Sequence, residues 1–228
     1  MDLDVITNRL LKHSYDKRLT HVPSALSMLT YVYTLFSCGY IKPYRDRIVL
    51  GKPFGSQAYY LVWKYLGYLD DITELSMGVK HTEIDFVDYS EETMGNALGV
   101  AAGIAMANPD QKVWVNLTDA TLQMGSTLEA IQYIGHNNIK NIIVAVDNNN
   151  CQVTGNTSEV LSVTPVIDFF FNNKWDVLQC NGHDKRAIKD LFPSQPLFPT
   201  AIIYNTIKGY GVPYMEKEPI KWHYRPME

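Results

Sequence analysis

Cysteine is scarce in this chain, and long apolar runs are missing. The three cysteines, Cys38, Cys151 and Cys180, are odd in number and scattered. They form neither a disulfide framework nor a CxxC metal pair. No apolar stretch approaches the length of a membrane span. The first twelve residues mix acids with a lysine and have no long apolar core, unlike a secretory signal peptide. Basic charge is not in excess either: the formal net charge is −4, and the Lys and Arg residues form no stripe. A general nucleic-acid or anionic-membrane surface is therefore not expected. Gly/Ser linkers, internal repeats and low-complexity tracts are also missing. These absences leave a soluble, cytoplasmic, reducing setting as the expectation. What remains is 46% hydrophobic against 19% charged residues over 228 positions, enough for one α/β domain with a sizeable core.

Strands and helices alternate in the pattern. Residues 24–36 are apolar on all sides and read as a buried helix opened by Pro23 and Ser24. Residues 47–50 read as a short strand, followed by a Gly-Lys-Pro-Phe-Gly turn and an aromatic helix over about 56–68. Small residues crowd 95–107, which lets a helix approach another backbone closely. Residues 175–178 and 200–204 read as later strands with a helix over about 184–191 between them, and Asp184 as its N-cap. The Gly- and Pro-bearing tail from Lys208 reads as a loop. The expected fold class is an α/β, doubly wound, mostly parallel sheet with helices on both faces.

The strongest chemical signal lies in the middle of the chain. Two apolar runs, 112–118 and 141–147, flank a stretch with helical spacing at Leu128, Ile131, Ile134 and Ile139. A strand, a crossover helix and a second strand make a parallel unit whose strands end on one edge of the sheet. Asp119 follows the first run and Asn149 the second. Their oxygens should then lie side by side at strand C-termini, where open α/β sheets bind ligands. Two hard oxygen ligands facing a helix N-terminus suit Mg²⁺ held against a diphosphate. In isolation, such an Asp is more often a helix cap, and residues 147–150 would be merely a polar turn.

With its flanking motifs the chain resembles the thiamine-diphosphate-binding half of transketolase, and most of all the N-terminal subunit of split transketolases. The resemblance runs from about Ser14 to Tyr224. Thr118-Asp119-Ala120 stands where the family has G-D-G, and Asn149 and the carbonyl of Cys151 fall at the family's other metal-ligand positions. Gly125 matches the glycine that opens the crossover helix. His21-Val22-Pro23-Ser24-Ala25-Leu26-Ser27 resembles H-I-G-G-S-L-S, and residues 46–50 and 67–69 resemble D-R-F-V-L and G-Y. Residues 93–105 resemble S-L-G-Q-G-x-x-x-A-x-G-M-A. Residues 206–211 followed by Trp222-His223 resemble T-x-K-G-x-G and W-H.

The resemblance implies thiamine diphosphate held through Mg²⁺ (or Ca²⁺), with Asp119, Asn149 and Cys151 as metal ligands and Asp119, Ala120, Asn149, Cys151 and His223 at the cofactor. His21, His81 and His223 take the places of active-site histidines, while His13, His136 and His183 are assigned surface or structural duty. It also implies transfer of a two-carbon ketol unit between sugars or sugar phosphates. The pyrimidine-binding domain is expected on a partner chain, a C-terminal transketolase-like subunit, in an α2β2 heterotetramer. The chain itself is read as one diphosphate-binding domain over 1–228. Five departures stand out: Ala120 for glycine, Phe54 for the histidine of D-R-F-V-L-S-x-G-H, and Ser90-Glu91-Glu92 for T-T-G. The others are a shortened segment before Gly95 and Met124 for the glutamate of the family's E-G. Two other readings remain open: a specialised carboligase or decarboxylase on an unusual sugar or keto acid, and a degenerate structural subunit.

Overall fold

The computed structural model describes residues 3–52, 54–72, 78–79, 82–192 and 196–227. Its strands, in chain order, are β1 (Arg47–Leu50), β2 (Tyr89–Ser90), β3 (Val113–Thr118), β4 (Ile142–Asn148), β5 (Cys151–Gln152), β6 (Gly155–Asn156), β7 (Asp176–Asn181) and β8 (Thr200–Asn205). β5 and β6 form a small antiparallel hairpin. The other six form one sheet in the order β2-β1-β3-β4-β8-β7, and every pairing in it is parallel. The helices are α1 (Leu3–Asp16), α2 (Val22–Ser37), α3 (Gln57–Tyr65), α4 (Ala97–Ala107), α5 (Gly125–His136), α6 (Thr157–Val160), α7 (Thr164–Asn172), α8 (Lys185–Lys189) and α9 (Pro213–Lys217).

Both faces of the sheet are covered, which explains why the central strands read as unbroken apolar runs. Alternate residues go to alternate cores. Trp114, Ile143, Ala145 and Ile202 pack against the layer of α1, α2, α3 and α8. Val113, Val115, Leu117, Val144, Val146 and Ile203 pack against α4, α5 and α7. The alanines of α4 let it lie close to the sheet, with Ala97, Ala101 and Ala105 buried. Within β3 the polar Asn116 is satisfied, its amide donating to the Tyr31 hydroxyl at 2.9 Å.

Parallel pairing sets the strand ends in a row. Thr118 pairs with Asp147, Asp147 with Tyr204, and Leu50 with Asn116. The chain runs outward from β1 to β2 on one side and from β3 to β4 on the other, so the connections diverge between β1 and β3. Such a divergence leaves a crevice at the carboxyl ends of the strands.

Two local expectations differ from the structure. Ile139 is not part of α5, because Asn138 adopts a left-handed conformation (φ 48°) that ends the helix and turns the chain into β4. The tail is not all loop. Pro213 opens α9, whose Met215 is fully buried, in keeping with proline's fitness for the first helical turn.

Gly135 marks a close approach of α5 to the turn after α7. A Cβ there would collide with the Asn173 carbonyl, with its carbon at 2.9 Å, while Trp175 donates its indole N–H to the Ile131 carbonyl at 3.0 Å beside it. Gly135→Ala is expected to destabilise the fold by about 1–3 kcal/mol, the usual cost of overpacking. Chemical denaturation midpoints, compared at unchanged m, check this.

Candidate active site at the strand ends

Asp119 follows β3 directly and has no exposed surface. Its Oδ1 accepts from the Thr118 hydroxyl at 2.9 Å and the Ala120 N–H at 2.8 Å, and its Oδ2 from the Thr157 hydroxyl at 2.9 Å. Burial raises its pKa and the nearby Asp147 raises it further, against the lowering effect of these hydrogen bonds. Asn149 follows β4. Its Oδ1 accepts the Cys151 N–H at 3.0 Å, and its Nδ2 donates to Asp147 at 2.7 Å. The Cys151 carbonyl accepts from the Lys208 ammonium at 3.0 Å. Carboxylate, amide and carbonyl oxygens are the ligands of a hard cation, and each of these groups retains acceptor capacity beyond the bonds named. Among the described residues no cluster of three or more His, Cys, Asp or Glu side chains is placed to hold a metal, so a nitrogen- or sulfur-rich transition-metal site is not what this edge offers.

Sequence reasoning passed over the two lysines. Lys52, just past β1, is buried and forms an ion pair with Asp147. It also donates to the Ser24 carbonyl at 3.1 Å. Burial alone would push Asp147 up, but Lys52 and the surrounding donors outweigh it and hold the carboxylate below its ordinary range. Lys208 lies between the Cys151 carbonyl and His223 Nδ1, at 2.8 Å from the latter. A lysine separated by one residue from an apolar strand, as Lys52 is, was the available signal. Nothing in the sequence marked its partner.

Above these groups a cavity of about 400 Å³ opens, lined among others by Thr118, Ala120, Asn149, Cys151, Lys52, Lys208, His21, His223 and Phe54. His21 stands at the N-terminus of α2 in a left-handed conformation (φ 59°). Its N–H donates to the His223 carbonyl at 3.0 Å, tying the tail to α2. The rings of His21 and His223 meet edge to face at 4.7 Å, and Phe54 stacks on His21 at 4.7 Å. The structure thus brings together Asp119, Ala120, Asn149, Cys151, His21 and His223, whereas His81 lies outside the described residues. Of the two acids at the departure before α4, Glu91 is buried and turns away. It accepts the N–H groups of Gly95 at 3.0 Å and Asn96 at 2.9 Å. Only Glu92 lines the cavity.

Burial, with Lys208 and Lys52 nearby, lowers His21 to about 4. Burial, with Lys208, His21 and Lys52, lowers His223 to about 3. Both rings are therefore neutral near pH 7. In the unfolded chain they take up a proton near 6.5, so the unfolded state binds more protons below that pH and stability falls on acidification from 6.5 toward 4. His223→Gln is expected to flatten this slope, and melting midpoints of both proteins across that range measure it. Lys52→Met leaves Asp147 buried and unpaired. It is expected to cost roughly 3–5 kcal/mol in unfolding free energy, as for other broken buried pairs, read by denaturant titration.

The chain matches the family model for the transketolase thiamine diphosphate binding domain over residues 21–226. It is 29% identical over 238 residues to an apulose-4-phosphate transketolase subunit of Phocaeicola vulgatus, covering 95% of this chain and 84% of that protein. It is 30% identical over 206 residues to the protein of the same name from Actinobacillus succinogenes, covering 81% and 72%. In fold it is similar to transketolase from Leishmania mexicana, with a TM-score of 0.78 and 18% identity over 92% of this chain and 37% of that one. Since that model spans residues 21–226, nearly the whole chain, this chain belongs to the transketolase thiamine-diphosphate-binding domain family.

Proposed function

We propose that this chain is the diphosphate-binding subunit of a split, thiamine-diphosphate-dependent transketolase. In this reading it anchors the cofactor's diphosphate through Mg²⁺, or Ca²⁺ in its place. The observation that carries this is the convergence of Asp119, Asn149 and the Cys151 carbonyl at one sheet edge, below a cavity that two lysines and two histidines face. The donor set fits the cation: three hard oxygens, one of them on a buried carboxylate that lies near a second carboxylate. Ala120 keeps the backbone N–H of the glycine it replaces but commits it to Asp119.

Thiamine diphosphate, when bound, supplies the carbon nucleophile that takes up and releases a two-carbon ketol unit. The chain's own residues then bind and orient. Asp119, Asn149 and Cys151 hold the cation, and Lys52 and Lys208 place positive charge beside it. His21 and His223, neutral at working pH, give hydrogen bonds to the oxygens of the sugar. By resemblance His81 joins them. Phe54 offers an apolar ring where a histidine would have met a hydroxyl, which narrows the range of sugars accepted. The two bacterial relatives are named for apulose-4-phosphate, and a sugar phosphate is the proposed substrate class here also.

Those relatives are named as subunits, which implies a second chain in each enzyme. The proposed partner here is a C-terminal transketolase-like chain carrying the pyrimidine-binding domain and its glutamate, in an α2β2 assembly with the cofactor at the contact between chains. Three free cysteines fit a reducing, cytoplasmic setting. Among the described residues no helix is long and apolar enough to cross a membrane. The intact ligand set weighs against a purely structural role.

Calorimetric titration of thiamine diphosphate with Mg²⁺ into the complex is expected to show binding. Asp119→Ala should lose more affinity than the roughly 10–100-fold that outer-shell substitutions cost. Equal affinity in the variant would remove Asp119 from the metal site and favour the structural role. The chain without its partner is expected to show little or no thiamine-dependent turnover, and brisk turnover by the isolated chain contradicts the split-enzyme reading.

A further inference from the structure

We infer that Lys208 is a positioning residue that fixes the tautomer of His223, so that its Nε2 carries the ring proton and presents it to the cavity. Lys208 Nζ stands 2.8 Å from His223 Nδ1 and 3.0 Å from the Cys151 carbonyl oxygen. The carbonyl can only accept, so Lys208 donates to it. An ammonium has no lone pair, so the second contact also requires Nδ1 to accept. A neutral imidazole whose Nδ1 accepts bears its hydrogen on Nε2.

The surroundings support both halves of this reading. Burial first, and then Lys52, lower the pKa of Lys208 against the opposite pull of Cys151, Asp119 and Asp147; its two short contacts mark it as the donor, and it lies buried in the wall of the cavity. The ring of His223 is packed against two others. It meets His21 edge to face at 4.7 Å and 71°, and Tyr224 at 4.7 Å and 68°. Its backbone is held as well, since the His223 carbonyl accepts the His21 N–H. A fixed Nε2–H suits a group that must donate to a carbonyl or a developing alkoxide, because such oxygens gain negative charge as they react. The same bond removes Nδ1 as a base. Lys208 therefore joins the Cys151 carbonyl, assigned above to the cation, to the histidine assigned to the substrate, and acts on substrate only through His223.

The catalytic meaning rests on the proposed thiamine-dependent reading, but the tautomer does not, and it can be read without cofactor, metal or partner. Long-range proton–nitrogen spectra of the full chain, isotope-labelled at histidine nitrogen and taken near neutral pH, report which ring nitrogen bears hydrogen. The signals lost in His223→Gln assign the residue. The expected wild-type spectrum has a proton-bearing Nε2 and a lone-pair Nδ1 for His223. Lys208→Met keeps the side chain as far as Cε but deletes the donor, and is expected to mix the two tautomers; Lys208→Arg restores the single one. A wild-type His223 with hydrogen on Nδ1 overturns the inference, and so does a folded Lys208→Met chain whose His223 signals stay where they were. If Lys208→Met does not fold, the wild-type spectrum decides alone. Cofactor binding that fails in a chain with the expected tautomer would count against the proposed function and leave the role of Lys208 intact.

Discussion

Asp147 lies at the end of β4 without solvent exposure, and its two oxygens receive donors from four directions. Lys52 reaches it from the end of β1, the Ser27 hydroxyl from α2 at 2.7 Å, the Asn149 amide from the next turn at 2.7 Å, and the Thr206 hydroxyl from the end of β8 at 2.5 Å. Burying two charges costs several kcal/mol per ion, and only close pairing with full hydrogen bonding offsets it. All of these partners are in place here. An apolar replacement of similar volume could serve stability as well, so the more informative effect is on direction. Because Nδ2 of Asn149 is committed to Asp147, its Oδ1 must face the other way, toward the Cys151 N–H and the cavity. One carboxylate thus decides which end of a symmetric-looking amide faces the cavity.

The charges around it form a strained set that a cation and a polyanion together would relax. Asp119, buried near Asp147, is pushed toward protonation, and Lys208, buried near Lys52, is pushed toward neutrality. Each like-signed pair sits where the effective dielectric is well below that of water, so the repulsions count for more than they would at a surface. A divalent cation at Asp119 and Asn149 would favour the charged carboxylate against this push. A diphosphate beside Lys52 and Lys208 would favour the ammonium in the same way. The two additions need each other, since metal alone would face Lys208 at the Cys151 carbonyl.

The sheet and its ligand edge were legible because they rest on short-range rules. β-branched runs flanked by polar residues located β3, β4 and β8 to within a residue, and a thirty-residue period between Asp119 and Asn149 followed from one crossover helix. The residues that escaped notice owe their roles to long-range pairing. Lys52 and Asp147 are separated by 95 positions, and neither has a local pattern that names the other. Glu91 stood out only as a departure from T-T-G, whereas it closes the turn before α4 by accepting two N–H groups, a use of carboxylate that spacing alone does not reveal. Helix α1 (Leu3–Asp16) was not read from the sequence, although Leu3, Ile6 and Leu10 recur at helical spacing and Ile6 and Leu10 are buried along it. Helix α7 escapes the pattern because its phenylalanines read equally as strand.

The two walls of the cavity are built by different physics. The ligand wall hangs from paired strand ends and inherits the rigidity of the sheet. The histidine wall is made by loops that hold one another. Gly55, in a positive-φ turn, lets the loop after β1 press against the start of α2, where any Cβ would meet the Ala25 nitrogen at 2.8 Å. Gln57 donates to the Thr20 carbonyl at 2.8 Å, Gly209 to the Pro23 carbonyl at 3.0 Å, and His21 to the His223 carbonyl. Together these bonds hold His21 in a left-handed conformation whose cost is of order 1–3 kcal/mol, a strain that persists only where neighbours over-determine it. The phenyl ring of Phe54 then lies flat on the imidazole. Strand pairing fixes the one wall and loop contacts the other. The sequence departures fall in both: Ala120 lies beside Asp119 in the sheet wall, and Phe54 in the loop wall.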